Sequence, residues 1–173
     1  ILLHPNFLNW MKKTANKYLP LSNEETIGVV VMPHGATKPY NDAIEKTIEP
    51  LKSKYKIEMA YGMGDAVTIQ NAISNLENQG IKKIVFVRMY PTSNQLKEKT
   101  DYILGLNDII PEQWDGLIPP QIRTSAIIST FGGYEEDNLI AGIFLERIQE
   151  FSKKPEEETI ILQIGRASCR ERV

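Results

Sequence analysis

Cysteine is almost missing from this chain: it occurs once, at Cys169. A lone thiol excludes an internal disulfide framework and a multi-cysteine metal site. Histidine is scarce too, with two residues, His4 and His34. No apolar run approaches the length of a membrane span, so no spanning helix is expected. Neither charge dominates, with 20 basic and 22 acidic residues giving a net charge of −2. Lysines are scattered among glutamates rather than clustered with aromatics, which argues against nucleic acid as a partner and favours a small molecule. There is no Gly-Lys-Ser or Gly-Lys-Thr phosphate loop. What is present, 42% hydrophobic and 24% charged residues, suits one soluble globular domain with a proper core.

Both ends read as cut. Ile164-Gly-Arg-Ala-Ser-Cys-Arg-Glu-Arg-Val173 reads back as codons of a common short-read sequencing adapter, and Gln163 fits the preceding codon. Residues 163–173 are therefore expected to be adapter translation, the alternative being a basic surface tail. On that expectation Leu162 is the last native residue, Cys169 leaves the native sequence and the balance becomes more acidic. The chain starts at Ile1 rather than methionine, so a fragment of a longer protein is expected. A cytoplasmic location is the expectation, with a secreted precursor left open by Ile1-Leu2-Leu3.

Strand and helix patterns alternate. His4 to Leu19 has helical spacing with Pro5 in the first turn. Thr26 to Met32 is a nearly continuous apolar run, as in a parallel strand covered on both faces. Tyr40, Ile44, Ile48 and Leu51 mark a helix ending near Pro50, and Ile57 to Tyr61 a second strand. Ile69, Ala72, Ile73 and Leu76 mark the next helix, closed by Gly80. Ile84 to Val87 is the third strand, Leu96 to Leu106 a helix, Ile122 to Thr130 a fourth strand, and Leu139 to Phe151 a last helix. The implied fold is α/β, a three-layer sandwich with a four-stranded parallel sheet and a flavodoxin-like order of elements. Residues 1–23 form an N-terminal helix and linker, and 24–152 the α/β lobe. Glu157-Glu158-Thr159-Ile160 echoes Glu24-Glu25-Thr26-Ile27, so residues 153–162 are expected to begin a second, truncated lobe, with a strand from Thr159 to Leu162.

In such a fold the ligand site lies at the carboxyl ends of the strands. There Met32-Pro33-His34-Gly35 places an imidazole, the side chain suited to exchanging a proton or holding a transition metal near neutral pH. The other reading of His34 is a loop histidine bonded to a neighbouring backbone. Gly35 lets a flat ligand or a turning backbone approach it. Gly62 and Gly64 follow a strand, but Val67 stands where a dinucleotide fingerprint needs its third glycine, so no nucleotide cofactor is expected. Asp65 and Thr68 read as helix-capping residues, and His4 as a water-exposed residue at a helix start. Ser93 and Ser125 have no second histidine with which to build a nucleophilic triad.

Four segments in order, the strand ending in His34-Gly35, Ile57-Glu-Met-Ala-Tyr-Gly-Met-Gly-Asp65, Thr68-Ile-Gln-Asn-Ala-Ile73 and Gly80-Ile-Lys-Lys-Ile-Val-Phe-Val87, resemble the class II chelatases. The likeness is to CbiX-type sirohydrochlorin cobaltochelatases and ferrochelatases, lyases of cobalamin and siroheme biosynthesis, and it runs from about Thr26 to Phe151. The resemblance implies a chelatase-like lobe that inserts a divalent metal, cobalt or iron, into a tetrapyrrole. It implies His34 as base or metal ligand, and Asp65, two residues beyond the position of the family's glutamate, is the candidate to substitute for it as a metal ligand. Long members have two lobes, which suits the echo at Glu157. A substrate rich in carboxylates calls for positive charge, and Lys38, Arg88 and Arg123 are candidates, with Gly35 admitting the ring. This chain departs from the family in having no histidine in Met89-Tyr-Pro-Thr-Ser-Asn-Gln95, and in having Met63 where a glutamate is usual. A non-catalytic module that binds a metal or tetrapyrrole is the alternative, and an unrelated flavodoxin-like domain for a phosphorylated ligand is a third.

Overall fold

The structure, a computed structural model, describes residues 4–18, 27–112, 114, 116–135 and 137–161. Its elements are α1 (Pro5–Tyr18), β1 (Ile27–Met32), α2 (Lys38–Ile48), β2 (Lys56–Met59), α3 (Ala66–Asn78), β3 (Lys83–Arg88), α4 (Lys97–Ile103), β4 (Ile127–Gly132) and α5 (Asn138–Gln149). Four parallel strands lie in the order β2-β1-β3-β4. All six residues of β1 are buried, as its unbroken apolar sequence requires of a central parallel strand.

Alternation along the strands divides the core into two layers. Val29, Val31, Val85 and Val87 pack with Ile44 and Ile48 of α2, Ile140 and Ile143 of α5, and Phe7 and Trp10 of α1. Val30, Met32, Ile84 and Phe86 pack on the other face with Ile69, Ile73 and Leu76 of α3 and Ile103 of α4. The three-layer α/β sandwich expected from sequence is thus formed. Gly28 belongs to the second face, where an added Cβ would lie 2.8 Å from Ile81 and 2.9 Å from Leu76. A larger residue there must push aside the buried side chains of Leu76 and Ile81. The helix expected ahead of the lobe is part of its core, since Trp10 meets Phe131 and Tyr134 edge-on at 6.4 and 5.6 Å.

The chain steps from β1 out to β2, then returns past β1 to β3. Connections leaving β1 and β3 therefore depart to opposite faces, α2 to one and α4 to the other. This opens a crevice above the carboxyl ends of those two strands.

Three expectations need correction. The fourth strand starts at Ile127 rather than Ile122, because residues 121–126 are held along α3 by side chains. Gln70 accepts from the Arg123 N–H at 2.7 Å, and Glu77 accepts from the Ser125 N–H at 2.7 Å. No strand forms at Thr159 to Ile161, which are exposed and irregular, and Leu162 lies outside the described residues. His4 is not water-exposed: its side chain is 15% accessible and its Nε2 lies 2.5 Å from Glu146 of α5. The echoed Glu24-Glu25-Thr26 and the segment 163–173 fall outside the described residues.

Candidate functional site

Pro33 to Thr37 leave the carboxyl end of β1. Pro33 is buried and His34 exposed, so the imidazole stands at the surface on an anchored backbone. His34 Nδ1 lies 2.7 Å from the Gly35 carbonyl oxygen. A carbonyl only accepts, so Nδ1 carries the proton, and a neutral ring then keeps its free lone pair on Nε2.

Gly35 has φ +73°, and a Cβ there would lie 3.3 Å from Tyr61 Cβ and 3.4 Å from Gly62 N. This glycine lets the loops after β1 and β2 meet. The Gly62 N–H donates to Pro33 O at 3.2 Å. The Tyr90 hydroxyl donates to Gly62 O at 2.8 Å, and burial pushes that hydroxyl well above its ordinary range, so it stays a donor. Asp65 caps α3, its Oδ1 accepting from Thr68 N–H at 2.8 Å. Among the described residues no hydrogen bond engages its other carboxylate oxygen.

Arg88, at the end of β3, is 2% accessible. Its side chain faces α4, and Nη1 donates to the carbonyls of Ser93 at 2.9 Å and Gln95 at 3.0 Å. Burial lowers its pKa from the ordinary value, with Asp101 and Glu135 opposing that shift. Glu135 grips the same loop from outside, accepting from Ser93 N–H at 2.6 Å. Burial pushes the Glu135 carboxyl up, but the Ser93 bonds and Arg88 outweigh it and hold it below the usual carboxylate range.

The structure thus brings His34, Gly35 and Asp65 to the carboxyl end of the sheet. Lys38 opens α2 nearby but is 84% exposed and paired with Asp42 at 2.6 Å. Arg88 is buried and committed to backbone carbonyls. Arg123 precedes β4 on the segment held by α3, outside the loops that leave the carboxyl ends. Among the described residues no three histidine, cysteine, aspartate or glutamate side chains form a metal-holding group. Sequence reasoning missed Arg88's structural engagement, although strand parity was a signal: Arg88 shares the face of Ile84 and Phe86.

Among the described residues, open depressions flank these elements on two sides. One of about 450 Å³, lined by Phe144, Ile148 and Phe151, lies where α5 runs back to the amino end of the sheet, away from His34. The other, about 630 Å³ and lined by Asn94, Glu98, Ile109 and Ile110, opens beside the loop after β3. The second is at the end of the sheet where the chain's chemistry lies.

Fold and site together define an α/β protein with a single accessible imidazole at a topological switch point. No family model matches the chain. It is 29% identical over 134 residues to a sirohydrochlorin cobaltochelatase of Methanococcoides burtonii, a match that covers 73% of this chain and 97% of the relative. The resemblance to the class II chelatases therefore extends over nearly the whole length of a relative.

Proposed function

We propose that this chain is a chelatase that inserts a divalent metal, cobalt or iron, into sirohydrochlorin or a related tetrapyrrole. The likeness to a cobaltochelatase supports the reaction class, and one observation carries the assignment to a residue. The Nδ1 bond to Gly35 leaves His34 one usable lone pair, on Nε2, in the open at the switch point.

Insertion exchanges two pyrrole N–H protons for one M²⁺. Nε2 takes one proton and releases it to solvent, then takes the second, because an exposed imidazole can re-equilibrate between steps. The same lone pair can hold a borderline divalent cation, but not while it holds a proton. Base and ligand are successive roles of one atom. Asp65, on the neighbouring loop, offers a carboxylate oxygen beyond the one that caps α3 to share the cation.

The test is absorbance titration of the full chain with sirohydrochlorin and Co(II) or Fe(II). Insertion is expected with the native chain, and His34→Ala is expected to slow it by about 10² to 10⁴-fold. Insertion unchanged in His34→Ala refutes the assignment. Binding of metal or tetrapyrrole without insertion by the native chain supports the non-catalytic module instead.

A further inference from the structure

Cations around the carboxyl end of the sheet are mostly engaged. Lys38 pairs with Asp42, Lys97 with Asp101, and Lys13 with Asp137. Arg88 is buried against its loop. Lys99, in the first turn of α4, differs: among the described residues no carboxylate lies within ion-pair distance of it, and its Nζ sits 5.0 Å from the centre of the Trp114 ring. An aromatic face attracts an ammonium without neutralising its charge or filling its N–H donors.

The side chain is also held in place. A Cβ on Gly64 would lie 3.2 Å from Lys99 Cδ and 3.3 Å from Cε, so that glycine, at φ +76°, leaves the lysine stem its path. Trp114 is itself fixed, edge-on to Tyr102 at 5.6 Å and donating from Nε1 to Leu117 O at 3.2 Å. An ammonium whose stem runs past Gly64 and whose charge rests near the Trp114 ring loses less freedom on binding an anion than one free in water. Gly64 is two residues from Gly62, which bonds the carbonyl just before His34, and two residues span at most about 7 Å. Met63, half-exposed between these glycines, adds an apolar surface.

We propose that Lys99 is a substrate-binding residue that holds one peripheral carboxylate of a flat, polyanionic macrocycle whose ring lies against the His34 loop. The inference rests on the tetrapyrrole reading above and deepens it. A macrocycle with carboxylate arms can present one arm to Lys99 while its ring lies over the Gly62–Gly64 turn beside the His34 loop.

Lys99→Met keeps the stem and removes the charge. For sirohydrochlorin it is expected to raise Kd and KM about tenfold, the weight of one solvent-accessible charge-assisted hydrogen bond. kcat should stay within about twofold, because a peripheral contact is equal in ground and transition states. Lys99→Arg is expected to restore binding, and the methyl ester of the same macrocycle should not distinguish Lys99→Met from the native chain. Trp114→Leu, which leaves the lysine in place but unheld, should weaken binding by less than Lys99→Met does. If the native chain metallates sirohydrochlorin and Lys99→Met binds it equally well, this inference is overturned while the chelatase reading stands. If the native chain neither binds nor metallates it, the chelatase reading falls and takes this inference with it.

Discussion

Gly132 lies opposite Arg88 across the β3–β4 register, and the arginine side chain runs over it. A methyl group at 132 would sit 2.7 Å from Arg88 Cβ, 2.9 Å from its carbonyl oxygen and 3.1 Å from Cζ. Two of these atoms are fixed to the backbone of β3, so rotating a side chain cannot relieve the clash. Gly132→Ala must part the strand ends or evict the guanidinium. Overpacking of this kind costs about 1–3 kcal/mol. Losing the bonds to Ser93 and Gln95 adds about 1–2 kcal/mol, since those carbonyls regain some hydration at the rim. The total of about 2–5 kcal/mol corresponds to a Tm lower by on the order of 10 °C in a chain of this size. Urea unfolding and thermal melts read the stability, and limited proteolysis within residues 91–96 reads the loop. Arg88→Met added to Gly132→Ala should cost less than the sum of the single changes, because the first substitution already frees the loop. A melting temperature within about 1 °C of the native chain, or fully additive costs, refutes the reasoning.

Asp65→Ala removes the cap of α3 and is expected to cost about 1 kcal/mol, while Asp65→Asn keeps the capping oxygen and most of the stability. Comparing the two by denaturant midpoint separates the cap from any part the charge has in Co(II) affinity. Acid should also destabilise the chain through Glu77. Burial pushes its carboxyl up, but the N–H and hydroxyl of Ser125 and the hydroxyl of Thr124 outweigh that and hold it below the usual range. A carboxyl depressed in the folded state adds stability above its unfolded value and loses it as pH falls through the folded one. The urea midpoint should thus drop between about pH 5 and pH 3, and less steeply in Glu77→Gln; equal drops would count against the Ser125 and Thr124 bonds.

Periodicity carried the fold because strand and helix burial follows apolar spacing, and β1, with every residue buried, left no second choice. The fourth strand was misjudged where hydrogen bonding overrode pattern. Ile122 packs inward like a strand residue, yet Gln70 and Glu77 claim the backbone of the following residues. The position of His34 was legible, since a polar residue just after a buried strand must emerge at the carboxyl end. Which cation serves the site was not. Lys38, Arg88 and Arg123 are alike as letters, and only their partners distinguish a surface pair, a buried clamp and a segment held on α3. Lys99 gave no signal at all, because Gly64 and Trp114 meet it across 35 and 15 residues of chain.

Contacts between the first helix and the last have a consequence for synthesis. His4 meets Glu146 and Lys13 meets Asp137, partners separated by 142 and 124 residues. On a ribosome adding about 5–20 residues per second, Phe7 and Trp10 emerge roughly ten seconds before α5 exists to cover them. The helix that covers this face of the sheet is made before the strands and the α5 it packs against, and nascent chains should spend that interval as substrates for chaperones that bind aromatic, amphipathic segments.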